Sequence, residues 1–154
     1  TLAGRDCISE RFCDLQLLLG TTTFFQVNTD RAEQIVIVLR DWLLQLGDCK
    51  RLIDAYCGIG TISLPIAAAG IGVVGLEINS ASVQQAQQNA ALNGISDASF
   101  EAGDVAMLLA EQADGLLWAR RAAVIRDHRW IRSNRACQAS SIAPFLLTNA
   151  SMQA

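Results

Sequence analysis

Proline and charge are scarce in this chain: 2 Pro and 18% charged residues, with 11 Gly, stand against 51% apolar ones over 154 residues. That balance excludes the disordered, collagen-like and highly charged tail classes and leaves one soluble domain with a core of ordinary size. No internal repeat is present. Histidine is nearly absent, and the single copy, His128, lies among six arginines, where an imidazole is hard to protonate. It is read as exposed and idle. No charged segment followed by an apolar one opens the chain, so there is no sign of a secretory leader. The 5 cysteines, Cys7, Cys13, Cys49, Cys57 and Cys137, are odd in number, as expected of free thiols in a cytoplasmic protein. The first residue is Thr1 rather than Met, from which a fragment or a processed product is expected.

Ala55 to Leu76 carries no charge and is long enough to test as a membrane span. It fails on content. Gly58, Gly60, Pro65, Gly70, Gly72 and Gly75 divide it into a loop, a short helix and a buried strand, the last being the kind of apolar run that parallel sheets produce. The net charge of −3 also conceals a division. Residues 1–115 hold 6 basic and 14 acidic groups, whereas residues 116–154 hold 6 basic and 1 acidic.

Residues 15–19 read as a strand, stopped by Gly20 and the threonines 21–23. From Thr29, the apolar positions Ala32, Ile35, Val36, Leu39, Trp42, Leu43 and Leu46 recur at helical spacing, with Asp30 and Glu33 as an N-terminal capping pair and Gly47 as the stop. Arg51 to Tyr56 is a short strand, Cys57 to Gly60 a Gly-rich turn, and Thr61 to Ala69 a helix that tolerates Pro65 early in its course. Gly72 to Leu76 is a buried strand. Ser80 to Asn93 is Ala/Gln-rich and helical, capped by Asn79 or Ser80 and ended by Gly94. Ala98 to Glu101 is a third strand, followed by Gly103-Asp104 and a helix to about Gln112. Ala122 to Ile125 is a possible fourth strand. Such alternation is that of a Rossmann-like α/β fold, a parallel sheet with flanking helices joined by right-handed crossovers.

At a Gly-rich strand-to-helix turn, backbone N–H groups can face a ligand, and small residues let it approach closely. Gly58 and Gly60 supply that surface here. Glu77 ends the following strand and suits a carboxylate that accepts hydrogen bonds from ribose hydroxyls. A pyrophosphate-bearing dinucleotide would prefer glycine where Ser63 stands, so nicotinamide cofactors are disfavoured. S-adenosylmethionine carries no phosphate and fits better. Asp104 reads equally as a helix cap and as a contact to adenine.

Three stretches in order, Phe24-Phe25-Gln26-Val27-Asn28, Asp54-Ala55-Tyr56-Cys57-Gly58-Ile59-Gly60-Thr61-Ile62-Ser63-Leu64-Pro65 and Val74-Gly75-Leu76-Glu77, resemble the catalytic domain of RNA uracil-5-methyltransferases. The branch acting on 23S ribosomal RNA and transfer RNA is the most similar. This resemblance, over Leu15 to about Asp104, implies S-adenosylmethionine as cofactor, an RNA partner, and Gln26, Tyr56, Gly58, Gly60, Thr61, Glu77 and Asp104 as cofactor-binding residues. The Gln26 amide offers a donor and an acceptor to the methionine tail, and Tyr56 an aromatic wall.

Uracil C5 is a poor nucleophile. Its methylation calls for a thiolate to add at C6, the resulting enolate to attack the sulfonium methyl, and a base to remove the C5 proton. In the resembling family the Cys and the base follow an Asp-Pro-Pro-Arg motif that this sequence lacks; Val124-Ile125-Arg126-Asp127-His128-Arg129-Trp130 stands where it is expected. Cys137, in Arg-Ala-Cys-Gln, lacks the following Asn-Pro and is not assigned the nucleophile's role, so the catalytic residues are unassigned. Cys57 is expected to be packed, and Cys7 with Cys13 is not expected to bind metal. Residues 1–115 are therefore read as the cofactor half of a methyltransferase domain. The Arg-rich residues 116–154 have three readings: an RNA-tracking segment with Trp118 and Trp130 for stacking, a solvated helix face, or, the favoured one, non-native sequence from a truncated or frame-shifted gene. The rival functions are a non-catalytic S-adenosylmethionine- or RNA-binding module and a methyltransferase for another substrate.

Overall fold

A computed structural model describes residues 7–20, 23, 25, 28–45, 49–116, 122–126 and 129–132. Its largest unit is a five-stranded sheet. The elements that build the sheet and its flanking helices are β3 (Arg51–Ala55), α2 (Ser63–Ala68), β4 (Gly72–Glu77), α3 (Ser80–Leu92), β5 (Ala98–Ala102), α4 (Val105–Leu116), β6 (Ala122–Arg126) and β7 (Arg129–Arg132), after β1 (Cys7–Phe12), β2 (Leu15–Gly20) and α1 (Thr29–Gln45). The sheet order is β5-β4-β3-β6-β7, and β1-β2 form a separate antiparallel pair. Strands β3 to β6 run parallel, and β7 returns antiparallel beside β6. This is the Rossmann-like α/β architecture that the alternation of elements leads one to expect. Among the described residues, no helix is long and apolar enough to cross a membrane.

The uncharged stretch from Ala55 divides into loop, α2 and β4 as its glycines indicate. Alternate residues of β3 and β4 serve opposite faces of the sheet. Leu52 and Val73 join Leu39, Leu43, Ile66, Ala67 and Ile71 under α1 and α2. Ile53, Ala55, Val74 and Leu76 face the other way, onto Val105 of α4. A third cluster gathers Phe12, Leu17 and Leu19 of the hairpin with Ile59, Leu64, Val83, Ala86 and Phe100. Phe25 closes that cluster by an edge-to-face contact with Phe12, their centroids 5.7 Å apart.

Several local expectations change in three dimensions. The expected Asp30–Glu33 capping pair does not form: the Asn28 side chain accepts the Arg31 N–H at 3.1 Å, and Glu33 instead accepts the Cys13 N–H at 2.6 Å. Glu33 is thus recruited by the β1–β2 turn. There Cys13 and Asp14 both take positive φ, 48° and 62°, the backbone twist that a two-residue hairpin requires. Ile35 falls on the solvent side of α1 rather than in the core. The expected helix stop at Gly47 lies outside the described residues. Helix α2 begins at Ser63 instead of Thr61, because Thr61 and Ile62 belong to the turn. Asn79, not Ser80, caps α3, accepting from Ala81 N–H at 2.9 Å and Ser82 N–H at 3.4 Å. Strands β1 and β7 are additions to the expected set, while β6 is the possible fourth strand.

Hairpin strand β2 docks on α3 in an unusual way. Its Gln16 N–H and C=O meet the Asn93 side-chain amide at 2.9 and 2.8 Å, and its Leu18 N–H and C=O meet the Asn89 amide at 2.7 and 3.2 Å. Four residues of helix rise about 6.0 Å and two residues of strand about 6.7 Å, so consecutive outward peptide groups of β2 match consecutive turns of α3. The two asparagines act as a substitute strand and close an edge that would otherwise need water.

Gly75 marks the tightest packing: a Cβ there would lie 2.5 Å from Phe100 Cδ1 and 2.8 Å from Cys57 Sγ. Gly75→Ala is therefore expected to destabilise the fold by about 1–3 kcal/mol through overpacking, read as a lower urea midpoint with an unchanged slope. An unchanged midpoint would mean that Phe100 and Cys57 can retreat freely.

Candidate functional site

Because β5, β4 and β3 are neighbours and parallel, the segments that follow them emerge side by side at one sheet edge. The pairings of Ala55 with Leu76 and of Glu77 with Ala102 set their level. Tyr56 to Ile62, Glu77 and Asp104 are brought to that edge. Gln26, the remaining sequence-identified candidate, lies outside the described residues.

The loop after β3 is drawn tight by its own backbone. Tyr56 and Cys57 both donate their N–H to the Leu76 carbonyl, at 2.7 and 3.1 Å, and Gly60 N–H donates to the Cys57 carbonyl at 3.0 Å. Tyr56 sits at φ 66°, an uncommon conformation for an aromatic residue, and the residue is 46% exposed. Gly58 and Gly60 follow at φ 56° and 87°. A Cβ on Gly58 would meet no atom within 4 Å, so the main chain there borders open space. At Gly60 it would press on Leu64 at 3.0 Å. The first glycine thus leaves a way in for a ligand, and the second lets the loop pack. Thr61 is half-buried in the same turn.

Glu77 is fixed from two sides. Oε2 accepts the Gly58 N–H at 3.1 Å, and Oε1 accepts the Asn79 N–H at 2.9 Å. The Gly58 amide, expected from the sequence to be free for a ligand, is therefore occupied by a carboxylate. An anion placed against that amide would meet Glu77 first, and this disfavours a phosphate at the turn. Each carboxylate oxygen keeps lone-pair capacity for hydroxyl donors. Asp104 is realised as a cap: Oδ1 accepts from Ala106 N–H at 2.9 Å and Met107 N–H at 3.0 Å at the start of α4. The side chain is exposed at the sheet edge, so the cap also fixes where its carboxylate lies.

Three residues of this edge escape sequence reasoning as members of the site. Ile78 is 67% exposed directly after Glu77, and Met107 is 66% exposed in the first turn of α4. An apolar side chain left in solvent beside a strand-end acid is the signal that could have found Ile78. Asn79 is the third, because it both caps α3 and holds Glu77.

The thiol of Cys57 is buried, and desolvation, helped by the charges of Asp54 and Glu77, pushes its pKa well up. It is packed, as expected, and is unsuited to nucleophilic attack. No group of three His, Cys, Asp or Glu among the described residues is arranged to hold a metal ion. Beneath the loop, Ser63 donates its hydroxyl to Asp54 Oδ2 at 2.6 Å. Burial pushes the Asp54 carboxyl from 3.8 up to about 6, with the Ser63 hydrogen bonds acting against the shift. The folded chain therefore binds this proton more tightly than the unfolded one. Asp54 thus makes stability fall as pH rises from 3.8 to about 6, and contributes no slope above that. Asp54→Asn keeps an acceptor for Ser63 and removes the titration, so its unfolding free energy relative to the native chain is expected to rise between pH 4 and 7. Denaturant unfolding across that range checks it, and a constant difference would show that Asp54 does not titrate there.

Comparison with known proteins agrees with this geometry. The family model described as "Methyltransferase domain" matches residues 46–137. An uncharacterized RNA methyltransferase of Parasynechococcus marenigrum is 58% identical over 111 residues, which cover 71% of this chain and 24% of that protein. The chain thus spans about a quarter of the length of this curated relative. Among solved structures, the Pyrococcus abyssi tRNA (uracil-54, C5)-methyltransferase in complex with S-adenosyl-L-homocysteine is similar with TM-score 0.59 and 27% identity, over 66% of this chain and 25% of that one. A T. thermophilus 16S rRNA N2 methyltransferase in complex with AdoMet and guanosine follows with TM-score 0.55 and 26% identity, over 67% and 29%. With the parallel sheet, the Gly-rich loop and the family match in agreement, the chain belongs to the methyltransferase domain family.

Proposed function

We propose that residues 1–115 are the cofactor-binding half of an S-adenosylmethionine-dependent RNA methyltransferase that acts at uracil C5. The observation that carries this reading is the pinned Glu77 carboxylate beside an open Gly58, at the edge where three parallel strands end. S-adenosylmethionine is the cofactor, and it supplies the methyl group. Its ribose hydroxyls donate to Glu77, the exposed Ile78 and Met107 offer apolar cover to the adenine, and Asp104 lies within the same edge for the ring's donors. Tyr56, Gly60, Thr61 and Gln26 complete the proposed binding set. A ligand with a sulfonium and no phosphate suits an edge where the Gly58 amide already faces a carboxylate.

RNA as the substrate is supported by the name of the Parasynechococcus relative, and uracil C5 by the sequence resemblance and by the Pyrococcus neighbour. The chemistry at uracil needs a thiolate and a base. Buried Cys57 is not that thiolate, and Cys137 lacks the expected sequence context. We therefore read this chain as binding cofactor without completing the transfer.

Calorimetric titration of the full chain with S-adenosylhomocysteine tests the reading. Saturable binding is expected, and Glu77→Gln is expected to weaken it about tenfold through loss of charged hydrogen bonds. No heat from folded protein would overturn the proposal. With labelled S-adenosylmethionine and uridine-containing RNA, no incorporation is expected; transferred label would overturn the reading that the chain does not complete the transfer.

A further inference from the structure

Asn89 is fully buried in α3 and is held by neither its own helix nor solvent. Its Oδ1 accepts the Leu18 N–H at 2.7 Å, and Nδ2 donates to the Leu18 carbonyl at 3.2 Å and the Ile59 carbonyl at 3.3 Å. Both amide hydrogens and the oxygen are thereby used. Ile59 stands between Gly58 and Gly60, and its side chain is buried in the cluster that also holds Leu17, Leu19 and Val83. One side chain therefore ties the Gly-rich loop to α3 and to the hairpin at once.

Asn93, one turn later, provides an internal comparison. It makes the same pair of bonds to β2, at Gln16, but its other contact is the Asn89 carbonyl of its own helix, at 2.8 Å. Both asparagines hold the hairpin, and only Asn89 touches the loop. A loop with two glycines at positive φ has large conformational freedom to lose, so a fixed carbonyl in its middle restricts it where restriction matters most.

We propose that Asn89 is a positioning residue for the cofactor loop: through Ile59 it holds the Gly58–Gly60 backbone, and with it the Gly58 N–H that orients Glu77, in the ligand-competent form. The proposal rests on the reading of this edge as the cofactor site. It also assigns the hairpin a role at that site, since Leu18 supplies the other two anchors that fix the Asn89 amide. Glu77 holds the same loop from its other side, at the Gly58 N–H, and Asn89 holds it at the next carbonyl.

Asn89→Asp is nearly isosteric and separates the donors from the acceptor. It keeps the oxygen that meets the Leu18 N–H, but sets an oxygen against the Leu18 and Ile59 carbonyls unless the new carboxyl is protonated. Asn93→Ala removes an equivalent hairpin anchor and leaves the loop contact alone. In the full chain at pH 8, Asn89→Asp is expected to weaken S-adenosylhomocysteine binding about tenfold or more, the scale of one unsatisfied buried polar group. Asn93→Ala is expected to leave affinity within about twofold while lowering stability by a comparable amount. Asp54 titrates near 6 beneath the same loop, so the pH readout is the ratio of variant to native affinity at each pH. That ratio is expected to recover partly at pH 6 as the new carboxyl gains a proton.

If Asn89→Asp fails to fold, the native chain still decides the question. In a nitrogen-15 spectrum, ligand is expected to shift the Asn89 side-chain amide pair and slow its exchange, leaving the Asn93 pair unmoved. Equal affinities of Asn89→Asp and native chain, equal losses in the two variants, or an unresponsive Asn89 amide would each overturn the positioning role. Absence of binding by the native chain would instead overturn the cofactor reading itself.

Discussion

A backbone polar group removed from water must find a partner, and much of this fold follows from how that demand is met outside the sheet. Strand β2 has β1 on one side only. Its outward groups are satisfied by the amides of Asn89 and Asn93, reaching across 71 and 77 residues of sequence. With that edge closed, Leu17 and Leu19 can turn into the core beside Val83 and Ala86 without leaving peptide groups stranded. The hairpin thereby shares a core with α3 and the cofactor-loop residues Cys57 and Ile59.

The same rule organises the sheet edge. Peptide N–H groups at Tyr56 and Cys57 converge on one carbonyl, and those at Gly58 and Asn79 converge on one carboxylate. These bonds are why a short loop with two glycines can hold a defined shape. Cys57 packs against Gly75, and burial holds its thiol protonated, so the thiol of the proposed cofactor loop is poorly suited to react. Any nucleophile for the proposed chemistry must come from elsewhere.

What the sequence made legible is local and periodic. The β3-loop-α2-β4 unit shows through because an uncharged run punctuated by glycines has few other ways to fold, and Glu77 because an acid at a buried strand's end has a chemical reason to be there. The Asp104 cap was legible only as one of two readings, since capping and ligand binding ask for the same residue type. Side chains that act at long range were not legible. Glu33 looked like a helix cap and serves the β1–β2 turn twenty residues earlier. Asn89 and Asn93 looked like ordinary polar residues of an Ala/Gln-rich helix, and Cys13-Asp14 carries no glycine to announce its positive φ. Strand β1, with Ser9, Glu10 and Arg11 in its middle, lacks the alternation that marks a half-buried strand.

Glu77 is bound at both oxygens before any ligand arrives. A glutamate ordinarily gives up its rotamer freedom when it captures a partner, at a cost of about 1–2 kcal/mol. In this protein that freedom is surrendered during folding, so the hydroxyl pair proposed to dock on Glu77 meets a group already at rest, and the entropy of its immobilisation belongs to the stability of the domain rather than to the affinity of the site.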